Sequence, residues 1–258
     1  MCELNELRRV GLVALLAFLA MLIGCASLPH DSAITHGSQA SELAAENWTA
    51  QSLPTKKATR FSLSTDKEKG MRVVHAQADG SASLLRRKVS IASSDLSRVA
   101  FSWKVTELIA ASDMAVRETE DAVVRVILSF EGDRSKFSAK NRMLSDLTEA
   151  LTGEELPYAT LMYVWCNKRQ AGEVIMNPRT DRIRQLVVES GAANLGKWLS
   201  YERDIRADFI QAFGEEPGTL TGIALMTDTD NTQSKATAWY GPVVLKSKSS
   251  QAAAQAVR

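Results

Sequence analysis

The most unusual polar run in this chain is Thr227-Asp228-Thr229-Asp230-Asn231-Thr232, which begins where the hydrophobic run Ile223–Met226 stops. Asp228, Asp230 and Asn231 would collect oxygen atoms at one strand end, an arrangement suited to Ca²⁺ or to the hydroxyls of a sugar. The run is not an EF-hand, because no Gly stands at the sixth loop position and no Glu at the twelfth. A competing reading is a turn in which Asp and Asn side chains cap backbone N–H groups. Glu189, which follows the apolar run Ile183–Val188, offers a second carboxylate. If the protein is an enzyme, Glu189 and Asp228 are its acid–base pair for a glycosidic bond; otherwise they are surface ion-pairing groups.

Other reactive types lead to structure rather than chemistry. Cys166 lies inside the strand-like run Leu161–Asn167, and His75 is the one histidine outside the N-terminal segment, so a buried structural thiol is expected. The stretch from Gly191 to Trp198 stops one residue short of a phosphate loop, since Trp198 occupies the position of the metal-binding hydroxyl. A Gly-rich turn between strands is expected there. There is no G-x-S-x-G, H-E-x-x-H or C-x-x-C.

Aromatic residues give a different signal. Trp103 and Trp165 alternate with apolar partners and read as core, where a buried indole contributes several kcal/mol at about 25 cal/mol per Å². Trp239 faces opposite to Tyr240 on a strand, so one of the two can be presented to a ligand as a stacking platform, with core or edge packing as the alternative.

The elements that must position these residues are mostly strands. Val99, Phe101, Trp103 and Val105 alternate with Ser102, Lys104 and Thr106, which is the period of a strand with one dry and one wet face. Similar runs recur at 71–77, 82–91, 123–130, 161–167, 183–190, 221–227 and 237–245. This spacing predicts a mainly β fold, an antiparallel β-sandwich of jelly-roll type. Two short helices complete it: one carries Met143, Leu144, Leu147 and Leu151 before Gly153, and the other runs Ile205–Phe213, capped by Asp204 and closed by Gly214.

At the N-terminus, Arg8 and Arg9 precede the 14-residue uncharged run Val10–Ile23, which as a helix rises about 21 Å and falls short of a membrane span. Leu22-Ile23-Gly24-Cys25 resembles the bacterial lipobox, which implies cleavage before Cys25, lipidation of Cys25 and attachment to the membrane there. Ala26 and Ser27 follow instead of Asp, which favours the outer membrane facing the periplasm in a Gram-negative cell. Residues 1–24 therefore read as a lipoprotein signal peptide, 25–45 as a flexible Ser/Ala/Gly tether, 46–246 as the β-sandwich domain and 247–258 as a disordered tail. With Cys2 removed and Cys25 acylated, Cys166 has no disulfide partner.

Composition narrows the partners. The balance of 31 Lys+Arg against 30 Asp+Glu lacks the excess of positive charge that phosphate backbones require, so no nucleic-acid partner is expected. A chain of 258 residues with 45% hydrophobic side chains can build one sizeable core, which excludes both disorder and a small disulfide scaffold.

An ordered series of motifs spans Trp48 to Leu245: Leu53-Pro54, Phe101-Ser102-Trp103-Lys104-Val105, Tyr163-Val164-Trp165-Cys166-Asn167, Val188-Glu189-Ser190-Gly191, Phe213-Gly214-Glu215-Glu216-Pro217 and Tyr240-Gly241. On this series the chain resembles the exported bacterial family known as domain of unknown function 3047. The resemblance implies an exported protein without a settled activity, and Cys166 stands where it leads one to expect Ala. The Trp-Lys-Val strand and the closing Tyr-Gly strand are also similar to those of jelly-roll carbohydrate-binding modules, at the level of fold.

The functional expectation is a lipid-anchored cell-envelope protein that binds a ligand without catalysis, most plausibly a saccharide. Asp228, Asp230 and Asn231 would hold a cation or sugar hydroxyls, and Trp239 or Tyr240 would stack on a ring. Ca²⁺ is the one cofactor the residues point to. The alternatives are a polysaccharide-active hydrolase or lyase, and a module that docks on another envelope protein.

Overall fold

Alternation of apolar and polar residues sets the architecture. The computed structural model describes residues 47–247, so the lipobox, the tether and the final tail lie outside the described residues. Thirteen strands occur among the described residues: β1 Thr49–Ser52, β2 Arg60–Thr65, β3 Arg72–Asp79, β4 Ser83–Ile91, β5 Leu96–Val105, β6 Ala122–Phe130, β7 Ala159–Cys166, β8 Val174–Met176, β9 Ile183–Ser190, β10 Trp198–Asp204, β11 Leu220–Asp228, β12 Lys235–Tyr240 and β13 Val244–Ser247. They form two sheets. One runs β1-β4-β11-β6-β7-β9-β8; the other runs β10-β5-β12-β3-β2, with β13 also on β5.

The sheets pack on a shared core built from the inward half of each alternation. Val99, Phe101, Trp103 and Val105 of β5, with Ala238 and Tyr240 of β12, belong to the same buried cluster as Val126 and Leu128 of β6, Tyr163 and Trp165 of β7, and Leu225 of β11. Both expected core indoles are buried, Trp103 at 0% and Trp165 at 1% exposure. Cys166 is buried as expected, in a second cluster with Ile127, Met162, Val164 and Val187 on the opposite side of the seven-stranded sheet. Met114, from the long segment between β5 and β6, belongs to that second cluster, so β6 and β7 are dry on both faces.

Pairing is antiparallel with one exception. β7 and β9 are parallel, because the chain inserts the edge strand β8 between them in sequence and β9 returns beside β7. The expected single strand over 237–245 is two strands: Gly241 donates its N–H to Ser102 (2.9 Å), Pro242 has no N–H to give, and pairing on β5 resumes at Val244. A Cβ on Gly241 would stand 2.1 Å from Ser102 Oγ, so any other residue requires the Ser102 side chain to move.

Two α-helices occur among the described residues. Helix α1 (Ala139–Thr152) starts at Ser138, whose side chain accepts from Asn141 N–H, and ends at Gly153 in the left-handed conformation. Helix α2 (Ile205–Phe213) is capped by Asp204 and closed by Gly214, as the residue types require. Phe209 of α2 meets Phe130 edge-on, and Asp208 accepts from Tyr163 Oη (2.9 Å) and Arg203 Nε (2.9 Å), which fastens α2 to both sheets.

Candidate functional site

Asp228 and Trp239, expected in one site, lie on opposite outer faces of the sandwich, while Tyr240 lies in the core between them, its hydroxyl 2.9 Å from Thr227 Oγ1. Met226 and Ala224 of β11 face the outer side of the seven-stranded sheet, and Asp228 joins Arg125 of β6 there. Trp239 of β12 faces outward on the six-stranded sheet, since Ala238 and Tyr240 are core residues on either side of it.

Asp228 is clamped rather than open. Arg125 Nε donates to Asp228 Oδ1 (3.0 Å) and Nη2 to Oδ2 (2.9 Å), while the Ala122 N–H also reaches Oδ1 (3.0 Å). Arg125 places its remaining donors on Gln185 Oε1 (2.7 Å), Glu120 Oε1 (3.1 Å) and the Glu120 carbonyl (3.2 Å). All five guanidinium N–H groups therefore have oxygen partners in a dry site. Burial raises the pKa of the Asp228 carboxyl to about 7, an effect the Arg125 fork offsets only in part. We assign the ionised form, because a protonated carboxyl would turn a donor toward the fork.

Its neighbours are equally occupied. Asp121, fully buried, accepts from Asn231 N–H (3.1 Å) and Nδ2 (3.1 Å) and from Thr232 N–H (2.7 Å) and Oγ1 (2.6 Å). Asp230 pairs with Lys56. Oxygens of Asp121, Asp228 and Asp230 lie within 4.8 Å of one another, close enough for a shared cation. Hydrogen-bond donors around Asp121 and Asp228, and Lys56 at Asp230, contact the same carboxylates.

Glu189 and Asp228 do not face a common space. Trp165 pairs with Glu189 across a bulge at Val188, which turns Glu189 toward the inter-sheet side. There it accepts from Tyr201 Oη (2.7 Å) of the other sheet and from Asn194 Nδ2 (3.3 Å). Burial first, then the Glu189 carboxylate, pushes the Tyr201 hydroxyl well above its ordinary pKa. Since the sheet itself separates the two carboxylates, they cannot flank one glycosidic bond. Tyr240, expected as a possible platform, is fully buried; its hydroxyl donates to the Met226 carbonyl (2.6 Å) and accepts the Arg125 N–H (3.3 Å). Strand alternation sends Tyr240 inward and leaves Trp239 as the presented member of the pair.

Around Trp239 the outer face of the six-stranded sheet carries an aromatic row. Cα registers align Trp198 with Lys104, Lys104 with Trp239, Trp239 with His75 and His75 with Ser62, across all five strands of the path. All five side chains share the outward face, because Leu199, Trp103, Ala238, Val74 and Leu63 beside them face the core. Trp239 stacks on His75 with centroids 4.9 Å apart and planes 8° apart. Neighbouring outward positions are Ser200, Ser102, Thr237 and Gln77, as expected for a wet face. Two indoles and an imidazole depart from that pattern.

The turn between β2 and β3 folds over this row. Glu68 approaches Lys104 at 3.6 Å. Asp66 is held below the usual carboxylate range, mainly by the Lys69 N–H (2.8 Å) and in smaller part by the Trp198 indole and Lys104. His75 Nε2 and Trp198 Nε1 are shielded from solvent without a hydrogen bond of normal geometry. Burial lowers the His75 pKa, which favours the neutral imidazole. The row thus offers polarizable rings, one ammonium, two carboxylates and serine hydroxyls within one shallow surface. Sequence reasoning found Trp239 but missed His75, Lys104 and Trp198 as its companions, since their alignment depends on registers between distant strands.

Residues 46–244 match the sequence profile of the family described as protein of unknown function DUF3047. The chain belongs to that family. Comparison with curated proteins returns no match for this DUF3047 member. Among solved structures it is similar to the xyloglucanase domain of NopAA, a type three effector from Sinorhizobium fredii, in complex with cellobiose. The two share 9% identity at a TM-score of 0.41, covering 78% of this chain and 93% of that chain.

Proposed function

We propose that this protein is a non-catalytic saccharide-binding domain of the cell envelope, and that its binding surface is the Trp198–Lys104–Trp239–His75 row. The observation that carries the reading is this aromatic row on an otherwise polar wet face, bordered by Asp66 and Glu68. Apolar ring faces and edges suit the C–H faces of a sugar, and the carboxylates, Lys104 and serine hydroxyls suit its hydroxyl groups. The Asp228, Asp230 and Asn231 run acts in this reading as a structural strut rather than as a Ca²⁺ or sugar site. Glu189 serves the inter-sheet contact with Tyr201.

The scaffold in this proposal is a jelly roll. Its support is nested pairing: β3 with β12, β4 with β11, β5 with β10 and β6 with β7, the paired strands alternating between the two sheets. A glycan array probed with the protein is expected to return bound saccharides, and Trp239→Ala should abolish the same signals. An array that stays blank while cross-linking in cells recovers an envelope protein would overturn the reading and favour a docking module.

The proposal includes anchoring through acylated Cys25, at the outer membrane facing the periplasm in a Gram-negative host. Its support is the lipobox-like Leu22-Ile23-Gly24-Cys25 and the absence of Asp after the cysteine. Mass spectrometry of the N-terminal peptide from cells should show an acylated Cys25 as the first residue; an unmodified thiol there contradicts the anchor.

A further inference from the structure

Helix α1 is mounted with its apolar stripe outward. Met143, Leu147 and Leu151, spaced at four residues, are 64%, 55% and 62% exposed. Its buried positions are the polar Asn141 and Ser145. Asn141 Nδ2 donates to Asp181 (2.6 Å) and its Oδ1 accepts from Thr180 (2.8 Å), so these hydrogen bonds, beside the half-buried Leu144, hold the helix to the domain. A surface helix ordinarily does the reverse. We infer that α1 is a lipid-contacting face, which rests on the reading of Cys25 as the membrane anchor.

Where the described chain begins decides among occupants. Asn47 lines the same cleft as Thr152 and Glu154, at the C-terminal end of α1. Only residues 26–46 separate Cys25 from that point, and a coil of that length would span roughly 25 Å root-mean-square. The anchor therefore delivers the α1 side of the domain to the bilayer. A tether of this length raises the effective concentration of the surface, so three inserted side chains suffice where free association would need more.

Other occupants fit less well. A second copy would gain little: the stripe from Met143 to Leu151 is about 12 Å long and offers three side chains, far below the ~800 Å² per partner of a stable interface. The tether, rich in Ser, Ala and Gly, has no apolar pattern to cover the stripe. Lys140 and Arg142 balance Asp146 and Glu149 on α1, so insertion should depend little on salt.

The test places a nitroxide at Leu147→Cys in the processed chain that begins at acylated Cys25, with Cys166→Ala, in phosphatidylethanolamine–phosphatidylglycerol vesicles. A control label sits at Ser200→Cys on the outer face of the six-stranded sheet. The label at 147 should collide with a water-soluble nickel chelate several-fold less than the label at 200, and more with oxygen. Equal chelate access at both positions on vesicle-bound chain overturns the inference, as does a chain that fails to bind vesicles. Dipolar coupling between labels at 147 on two chains would also overturn it, assigning the stripe to a second copy. The anchor reading fails separately, through the mass of Cys25.

Discussion

Asp228 shows how a residue type that advertises chemistry can be spent on structure. Its carboxylate closes the end of β11 by accepting two N–H groups from Arg125 and one from Ala122. Removing one partner of a buried, hydrogen-bonded ion pair strands the other charge and typically costs about 3–5 kcal/mol. Asp228→Ala should lower the unfolding free energy by that amount in urea titration, with the wild-type thermal midpoint the same in EDTA and in millimolar Ca²⁺. A calcium-dependent rise would restore the ion-site reading. The run's position at a strand end was legible from the break in hydrophobicity after Met226. Its partner was also signalled, though indirectly: β6 reads Ala-Val-Val-Arg-Val-Ile-Leu, and a charge inside a nearly continuous apolar run demands a buried counter-charge. Which carboxylate supplies it depends on the fold of distant segments, and alternation says nothing about that.

Among elements, the loop after α2 binds two strands through Glu215. This carboxylate accepts from Arg182 Nη2 (2.6 Å) and Tyr158 Oη (3.0 Å). Burial works to raise its pKa, but these hydrogen bonds prevail and hold it below its ordinary 4.5. Because the folded-state pKa is depressed, the contribution is complete above about pH 4.5 and is lost as pH falls through the depressed value. Glu215→Gln should therefore flatten stability against pH below that point in acid titrations followed by circular dichroism. A slope equal to wild type would show that Glu215 is uncoupled from folding. Element type was largely readable: α2 came with its caps, and seven of the eight expected strands have a direct counterpart, while 237–245 is divided at Gly241. Four strands were not among the expected runs: β1 and β8 span only four and three residues, too short for a period, while β2 and β10, of six and seven residues, carry polar or charged side chains on both faces. The orientation of α1 was not readable, because helical spacing defines a stripe but not which side meets the protein.

At the scale of the molecule, the sandwich separates what the sequence seemed to group. Strand alternation places Asp228 and Trp239 on outer faces of different sheets and turns Glu189 into the space between them. The mainly β class and the two-sheet core follow from local periodicity, which each strand carries by itself. The proposed binding surface, built across five strands, follows from register, which no single strand carries. Calorimetric titration of a saccharide captured by the wild-type protein, compared with Trp239→Ala and with Thr237→Ala from the same outer face as control, tests the aromatic row as the binding surface. Loss of one stacking side chain should weaken binding by about tenfold or more, the factor that corresponds to about 1.4 kcal/mol, while Thr237→Ala leaves affinity nearly unchanged. Equal affinities for wild type and Trp239→Ala would contradict the assignment of the aromatic row as the binding surface.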